Sequence, residues 1–158
     1  MASGNLVNDG SITWSVEQTG TDGYTLNITG SGEMPDYSGL KGMPWAQCKS
    51  SNGTTTDYCS KITELNIDSR ITKIGRRSFL RISKITSVTI PENCVSIGQE
   101  AFRLCIGLKE IYIPSSVTSI GTDAFSNCRS LNLIHYDGRC DANTGIAFSN
   151  VAASGKII

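Results

Sequence analysis

Charge is scarce in this 158-residue chain: Asp, Glu, Lys and Arg make up 18% of it, and 14 basic residues balance 14 acidic ones. A net charge of zero argues against wrapping nucleic acid or adhering to an anionic membrane through a polybasic face. No run of 18 apolar residues occurs, so the sequence predicts no membrane insertion. Met1-Ala2-Ser3-Gly4-Asn5 has neither a basic start nor a long apolar stretch, so no signal peptide is expected within this chain. Histidine occurs once, at position 135, and no Cys-x-x-Cys pair exists. The close ligand pairs that build zinc sites are therefore missing, and no metal is expected. A nucleophile elbow, a phosphate loop and a dinucleotide fingerprint are absent as well. His135 is followed by Tyr136 and Asp137, a strand residue and a turn residue, not by a base with its orienting partner. Neither a cofactor nor catalysis is expected. What the chain has in plenty is hydroxyl: Ser and Thr together number 35. Such a weakly charged, hydroxyl-rich surface suits an extracellular protein. The length suits one domain, or a small domain plus a cap, and is enough to bury a core without staples.

The strongest signal is an internal repeat. Glu64-Leu65-Asn66-Ile67-Asp68, Ser87-Val88-Thr89-Ile90-Pro91, Glu110-Ile111-Tyr112-Ile113-Pro114 and Leu133-Ile134-His135-Tyr136-Asp137 each start 23 residues after the one before. Ile74-Gly75, Ile97-Gly98 and Ile120-Gly121 recur at the same interval, as do Ser78-Phe79, Ala101-Phe102, Ala124-Phe125 and Ala147-Phe148. Within one unit, Ile111 and Ile113 alternate with Glu110 and Tyr112 at strand spacing, and Pro114 ends that strand because it cannot donate to a ladder. Val117 and Ile120 anchor a second extended stretch. Ala124, Phe125, Cys128 and Leu131 then follow at the spacing of a short helix face. A unit of this kind cannot bury its own apolar side, so the units must stack in register into a solenoid. Strand neighbours lie ~4.8 Å apart, so four units span roughly 20 Å.

The cysteines fit the same columns. Cys59, Cys105 and Cys128 share one with Ile82 and Val151, while Cys94 and Cys140 share another with Ile71 and Val117. Thiols that alternate with Ile and Val read as small buried hydrophobes. Cys105 and Cys128 are stacked neighbours for which a disulfide is geometrically allowed but not required; Cys48, outside the repeats, either pairs with Cys59 or is free.

Residues 1–61 do not follow the period. Ser11 to Val16 and Tyr24 to Ile28 alternate around the turn Gly20-Thr21-Asp22-Gly23, which predicts a β-hairpin. This segment is expected to cap the raw first rung, with Trp14, Leu26, Ile28 and Trp45 packing on it; Ser50 to Thr56 reads as a polar loop. At the far end the pattern decays. Asn143-Thr144 replaces the Ile-Gly pair, and Ile157-Ile158 lands where a next strand would begin, 23 after Ile134. The domain division is thus 1–61 as cap and 62–158 as repeats, the last unit degenerate.

The run Ile113-Pro114-Ser115-Ser116-Val117-Thr118-Ser119-Ile120-Gly121-Thr122-Asp123-Ala124-Phe125-Ser126-Asn127-Cys128-Arg129-Ser130-Leu131 resembles the BspA-like, or Treponema-type, leucine-rich repeat. The leader from Leu26 to Tyr37, followed by Pro44-Trp45, resembles the segment that often precedes such repeats. The first unit departs from the pattern, with Ile82 for cysteine, Ser78 for alanine and Asp68 for proline. The resemblance implies a mainly β leucine-rich-repeat solenoid with short helical segments, here four 23-residue units behind an N-terminal β-hairpin cap. It implies a secreted or surface-anchored protein, in some members an adhesin for host matrix proteins or other cells, and it carries over no catalytic residue.

Contacts in a solenoid fall to its outward residues. Along the first strand of each unit these are Glu64, Asn66, Ser87, Thr89, Glu110, Tyr112, Leu133 and His135. Tyr112 and His135 share a column with Thr89 and Asn66, and aromatics make good interface anchors. A candidate ligand-binding face therefore comprises Tyr112, His135, Glu110, Thr89 and Asn66. A second candidate is basic. Six cationic residues lie from Asp68 to Lys84 against one acid, with Arg76, Arg77 and Arg81 on or near the first helical turn, away from the strand face, and such a cluster suits an acidic partner or sulfated glycan or complements the acidic leader. The sequence predicts an interaction module with a protein ligand and a glycan as the other option. A spacer within a larger array is the alternative, and an enzyme working through His135 is a third class. Asn27-Ile28-Thr29 and Asn52-Gly53-Thr54 match the glycosylation acceptor pattern, which matters only in a eukaryotic secretory pathway.

Overall fold

The computed structural model describes residues 1–46, 48–49, 54–136 and 156–157, with 48–49 and 156–157 given as backbone. The repeats lie as rungs of a parallel stack. Strands β9 (Ser87–Thr89), β11 (Glu110–Ile113), β13 (Leu133–Tyr136) and β14 (Lys156–Ile157) form one parallel sheet. A second is built from β8 (Ile71–Ile74), β10 (Ser96–Ile97) and β12 (Ser119–Ile120). Pairings such as Val88 with Ile111, Ile111 with Ile134, Ile134 with Ile157 and Ile97 with Ile120 are each 23 residues apart. The period of the sequence is the register of the sheets.

Inward residues of each rung meet their counterparts above and below. Val88, Ile90, Ile111, Ile113 and Ile134 are buried, as are Ile74, Ile97 and Ile120 on the second sheet. Phe79, Phe102 and Phe125 align as one column, with ring centroids 5.1 and 5.3 Å apart and planes within 29°. The recurrent glycine after each Ile is fixed by closeness. A Cβ on Gly98 would lie 2.6 Å from the Arg76 nitrogen, and one on Gly121 2.4 Å from that of Gln99. Only a residue without a side chain lets the rungs approach this far.

The segment after each glycine is a turn ribbon, not the short helix that the apolar spacing predicts. Arg77, Arg81, Glu100, Leu104, Asp123 and Asn127 all have φ between 56° and 64°. A left-handed residue at every fourth position breaks the helical path. The amides then alternate in destination. Ser78, Leu80 and Ile82 donate to the carbonyls of Gly75, Arg77 and Phe79, while Arg77, Phe79 and Arg81 donate to Gln99, Ala101 and Arg103 on the next rung. Glu100, Phe102 and Leu104 repeat this toward Thr122, Ala124 and Ser126. The helical turns among the described residues are two 3-10 segments in the leader, Leu40–Gly42 and Pro44–Ala46.

The leader supplies a hairpin, β2 (Ile12–Thr19) with β3 (Gly23–Gly30), edged by β1 (Ala2–Asn5). Strand β3 runs parallel to β7 (Ile62–Ile67), with Leu26 opposite Leu65 and Ile28 opposite Ile67, and β4 (Gly32–Glu33) lies beside β8. So the leader contributes a rung of its own, offset by 39 residues instead of 23. Trp45 extends the aromatic column, stacked on Phe79 at 5.9 Å and 18°, and Trp14 and Tyr37 pack edge-on against it. Trp14, Leu26, Ile28 and Trp45 are all buried. Asp68 shows why the first unit lacks the proline of Pro91 and Pro114. Its N–H donates to the Ile28 carbonyl at 2.9 Å, and its carboxylate accepts the Gly30 N–H at 3.1 Å. Of the polar loop expected over Ser50 to Thr56, Thr55–Thr56 form a strand, β6, paired antiparallel with β5 (Cys48–Lys49), and 50–53 lie outside the described residues.

Among the described residues the stack is interrupted between β7 and β9. By the period β7 should pair with β9, Glu64 opposite Ser87, yet no ladder joins them among the described residues. Leu65 and Ile67 are in consequence half-buried, whereas Val88 and Ile90 are buried.

Removing one ring from the aromatic column should leave a cavity that the neighbouring rungs cannot collapse into. Phe102→Ala is expected to cost about 3–5 kcal/mol, read from urea denaturation; a loss under about 1 kcal/mol would mean the rings are not a continuous core.

Candidate functional site

The outward columns of the sheet are held by the register just described. Tyr112 on β11 and His135 on β13 are paired residues of the ladder. Their rings stack flush, with centroids 4.1 Å apart and planes 3° from parallel. Glu110, two residues before Tyr112 on the same strand face, reaches both. Its Oε1 accepts the Tyr112 hydroxyl at 2.8 Å and lies 2.8 Å from His135 Nε2. Because an ionised carboxylate only accepts, Nε2 carries the proton in this contact. The bonds from His135 first, then Tyr112, hold the Glu110 carboxyl below its ordinary value, and the same bond raises the Tyr112 phenol above its own. Tyr112 remains 41% exposed. A groove of about 100 Å³ opens between this pair and Thr89, Glu92 and Pro114.

Three of the five expected face residues thus form one cluster, and Thr89 borders it. Asn66 does not join them. It donates to Asn27 Oδ1 at 2.9 Å, and Asn27 in turn contacts Ser15, so Asn66 continues a polar row of the leader. Sequence spacing places Tyr112 above His135, but the tie through Glu110 depends on side chains crossing between positions i and i+2, for which the pattern carries no signal.

The basic candidate does not persist as one patch. Arg77 is engaged: its Nε and Nη2 donate to Glu100 at 2.9 and 3.0 Å, and its Nη1 donates to the Ser38 carbonyl. Arg103 joins the same carboxylate at 3.1 Å, and these arginines hold the largely buried Glu100 carboxyl below its ordinary value. Arg76 binds the leader by its backbone, N–H to Asp36 at 2.7 Å. Arg81 lies apart, lining a different groove with Leu40, Asp57 and Ile106. Much of the basic charge therefore complements acids within the chain. Arg77 and Arg103 pair with Glu100, and Lys73 sits 3.7 and 3.8 Å from Glu33 and Asp36 of the leader.

The described thiols lie in the core. Cys59, Cys94, Cys105 and Cys128 are buried and free. Cys105 and Cys128 donate to the carbonyls of Phe79 and Phe102, each at 3.1 Å, on the rung beneath. Burial pushes the Cys59 thiol up to about 12 and raises Cys94; burial and the adjacent Cys128 raise Cys105 as well. The Cys48 side chain, Cys140, the Asn143-Thr144 pair, Ala147-Phe148 and Val151 lie outside the described residues. No cluster of three or more metal-ligating side chains occurs among the described residues, and no described helix is long and apolar enough to cross a membrane.

Residues 53–154 match the family described as the BspA type leucine rich repeat region, in six copies. Among solved structures, a leucine-rich repeat protein from Eubacterium ventriosum ATCC 27560 is 22% identical over 90% of this chain, with a TM-score of 0.54. One from Bacteroides ovatus ATCC 8483 is 25% identical over 63%, and a leucine rich cell surface protein from Faecalibacterium prausnitzii A2-165 is 23% identical over 90%, both also at 0.54. This chain covers 44%, 25% and 42% of those three, so it spans less than half the length of each. No curated protein matches it.

Two outcomes follow from the side-chain contacts. The Glu110 carboxyl should titrate below the ordinary value of ~4.3. The stabilisation it gives is present above that range and lost as pH falls through its lower folded value. Carbon-detected NMR should show the midpoint rising in His135→Ala and in Tyr112→Phe; an unmoved midpoint would dissolve the cluster. Separately, Cys59, Cys94 and Cys105 should resist a thiol reagent until the chain unfolds, so that modification rates follow the denaturation curve.

Proposed function

The chain belongs to the BspA-type leucine-rich repeat family, and we propose that it is a non-catalytic recognition module of a surface or secreted protein, binding a protein ligand through the sheet face around Tyr112, Glu110 and His135. The observation that carries this reading is the exposed, ordered Tyr112–His135 stack, cross-tied by one carboxylate. An aromatic pair already fixed in its rotamers loses little entropy on docking, which is what makes such residues anchors. Glu110 and His135 frame it with one acceptor and one ionisable donor, and Thr89 extends the contact row. Among the described residues the side-chain partner of His135 is the Glu110 carboxylate, not a nucleophilic hydroxyl or thiol. We assign residues 1–61 the role of cap for the repeats in 62–158, on the strength of the Trp45–Phe79 stack and the β3–β7 ladder. The cell-surface description of the Faecalibacterium prausnitzii protein supports an extracellular address.

A second reading has its own observation. The three solved proteins compared above are more than twice as long as this chain, which favours a spacer segment whose ligand binds elsewhere.

The two separate in a capture assay against immobilised matrix proteins and sulfated glycans. The module reading expects Tyr112→Ala with His135→Ala to weaken capture by ~30-fold or more, the loss typical of a hot spot worth about 2 kcal/mol, with the melting temperature unchanged. Capture that survives the double variant, or no capture across the panel, supports the spacer. Loss on Arg81→Ala instead would return the site to the basic face.

A further inference from the structure

The break between β7 and β9 leaves two strand edges facing each other without partners. Strand β7 pairs with β3 on its other side, and β9 with β11. In a parallel ladder successive residues turn their N–H and C=O groups to opposite sides. Asp68 donates to Ile28 on the β3 side, so Leu65 and Ile67 turn theirs toward β9. Thr86 accepts from Lys109 and Ile90 donates to Tyr112, so Ser87 and Thr89 turn theirs toward β7. Among the described residues none of the N–H and C=O groups of these four residues finds a partner across the seam. Grooves of about 410 and 520 Å³ run along it and share Leu65, Asn66 and Ser87.

We propose that the β7–β9 seam is a second binding site, which takes up an extended peptide of alternating small apolar and polar residues as an added strand. Three features select this occupant. The open donors and acceptors recur at every second residue on both edges, a spacing of ~6.6 Å that an extended chain reproduces. The half-buried Leu65 and Ile67 leave the inward side short of one apolar layer, which alternate small side chains would supply. Exposed Glu64 and Glu92 outnumber Lys84 along the rim, which favours a basic residue on the peptide. Entry requires β7 and β9 to part to twice the ordinary strand spacing of ~4.8 Å, and no ladder bond between them has to break. The β8–β10 ladder and the turn-ribbon amides, which do join these two rungs, stay intact behind the seam. This site does not rest on the Tyr112 cluster.

The test uses the full chain and an end-capped synthetic peptide, Lys-Val-Thr-Val-Thr-Val-Lys, with amide hydrogen exchange followed by NMR. In the free chain the Leu65, Ile67, Ser87 and Thr89 amides should exchange faster than those of β11. Saturating peptide should slow them by at least ~10-fold. The same peptide N-methylated at its valines should lose this effect, because its backbone can no longer donate. Ser87→Pro deletes an unpaired N–H, so it should weaken binding at an unchanged melting temperature. The Tyr112→Ala, His135→Ala double variant should bind the peptide as the parent does, which separates failure here from failure of the Tyr112 face. The proposal is overturned if these amides are already as protected as those of β11, if the N-methylated peptide binds equally well, or if a neutral oligosaccharide protects them and the peptide does not.

Discussion

Backbone proximity between rungs is the constraint on which the structure depends. At Gly98 and Gly121 a single Cβ would collide with the backbone of the preceding rung. That closeness lets ribbon amides reach the next carbonyl and brings Phe79, Phe102 and Phe125 into stacking range. Apolar burial then follows as a sum over like positions, each covered by the one above and below. The thiols share this geometry. Cysteine replaces isoleucine where a small side chain meets a carbonyl of the rung beneath, and it donates a weak bond that the hydrocarbon cannot.

The leader shows how an irregular segment satisfies a regular lattice. It matches the stack strand for strand through β3 and β4, replaces phenylalanine with the larger Trp45, and binds the first repeat through Asp68, Arg76 and Arg77. The acidic balance of the leader and the basic balance of the first unit are two halves of this contact. What looks in the sequence like a surface for an external acidic partner is partly consumed within the chain, at Arg77 and Lys73.

The repeat columns were legible because 23-residue spacing translates directly into register; Ile157 opposite Ile134 obeys it even where side-chain pattern has decayed. The ribbon was not, because apolar residues at i, i+1, i+4 and i+7 suit either a helical face or two turns separated by left-handed residues. Arg77, Arg81, Glu100 and Leu104 carry no compositional mark of that conformation, which glycine, asparagine and aspartate usually signal; Asp123 and Asn127 carry it in the third unit alone. Asp68 did leave a mark. Its departure from proline records the need for a donor opposite Ile28, and an exception to a repeat pattern here locates a junction. The seam left none, since Leu65 and Ile67 alternate just as Ile111 and Ile113 do. The Tyr112–His135 column was readable from spacing, while its completion by Glu110 depends on side-chain reach that spacing does not encode.

The turn ribbons have a direction. Each presents carbonyls to the rung before it and amides to the rung after, from Tyr37 donating to Arg76 through Leu104 donating to Ser126. A rung therefore has two unlike faces, and a whole unit can be duplicated or deleted but never inverted. Two such stacks brought together by the same end would oppose donor to donor along this side. Stacking of like rungs along the ribbon is thus vectorial: opposite faces match and two like faces do not.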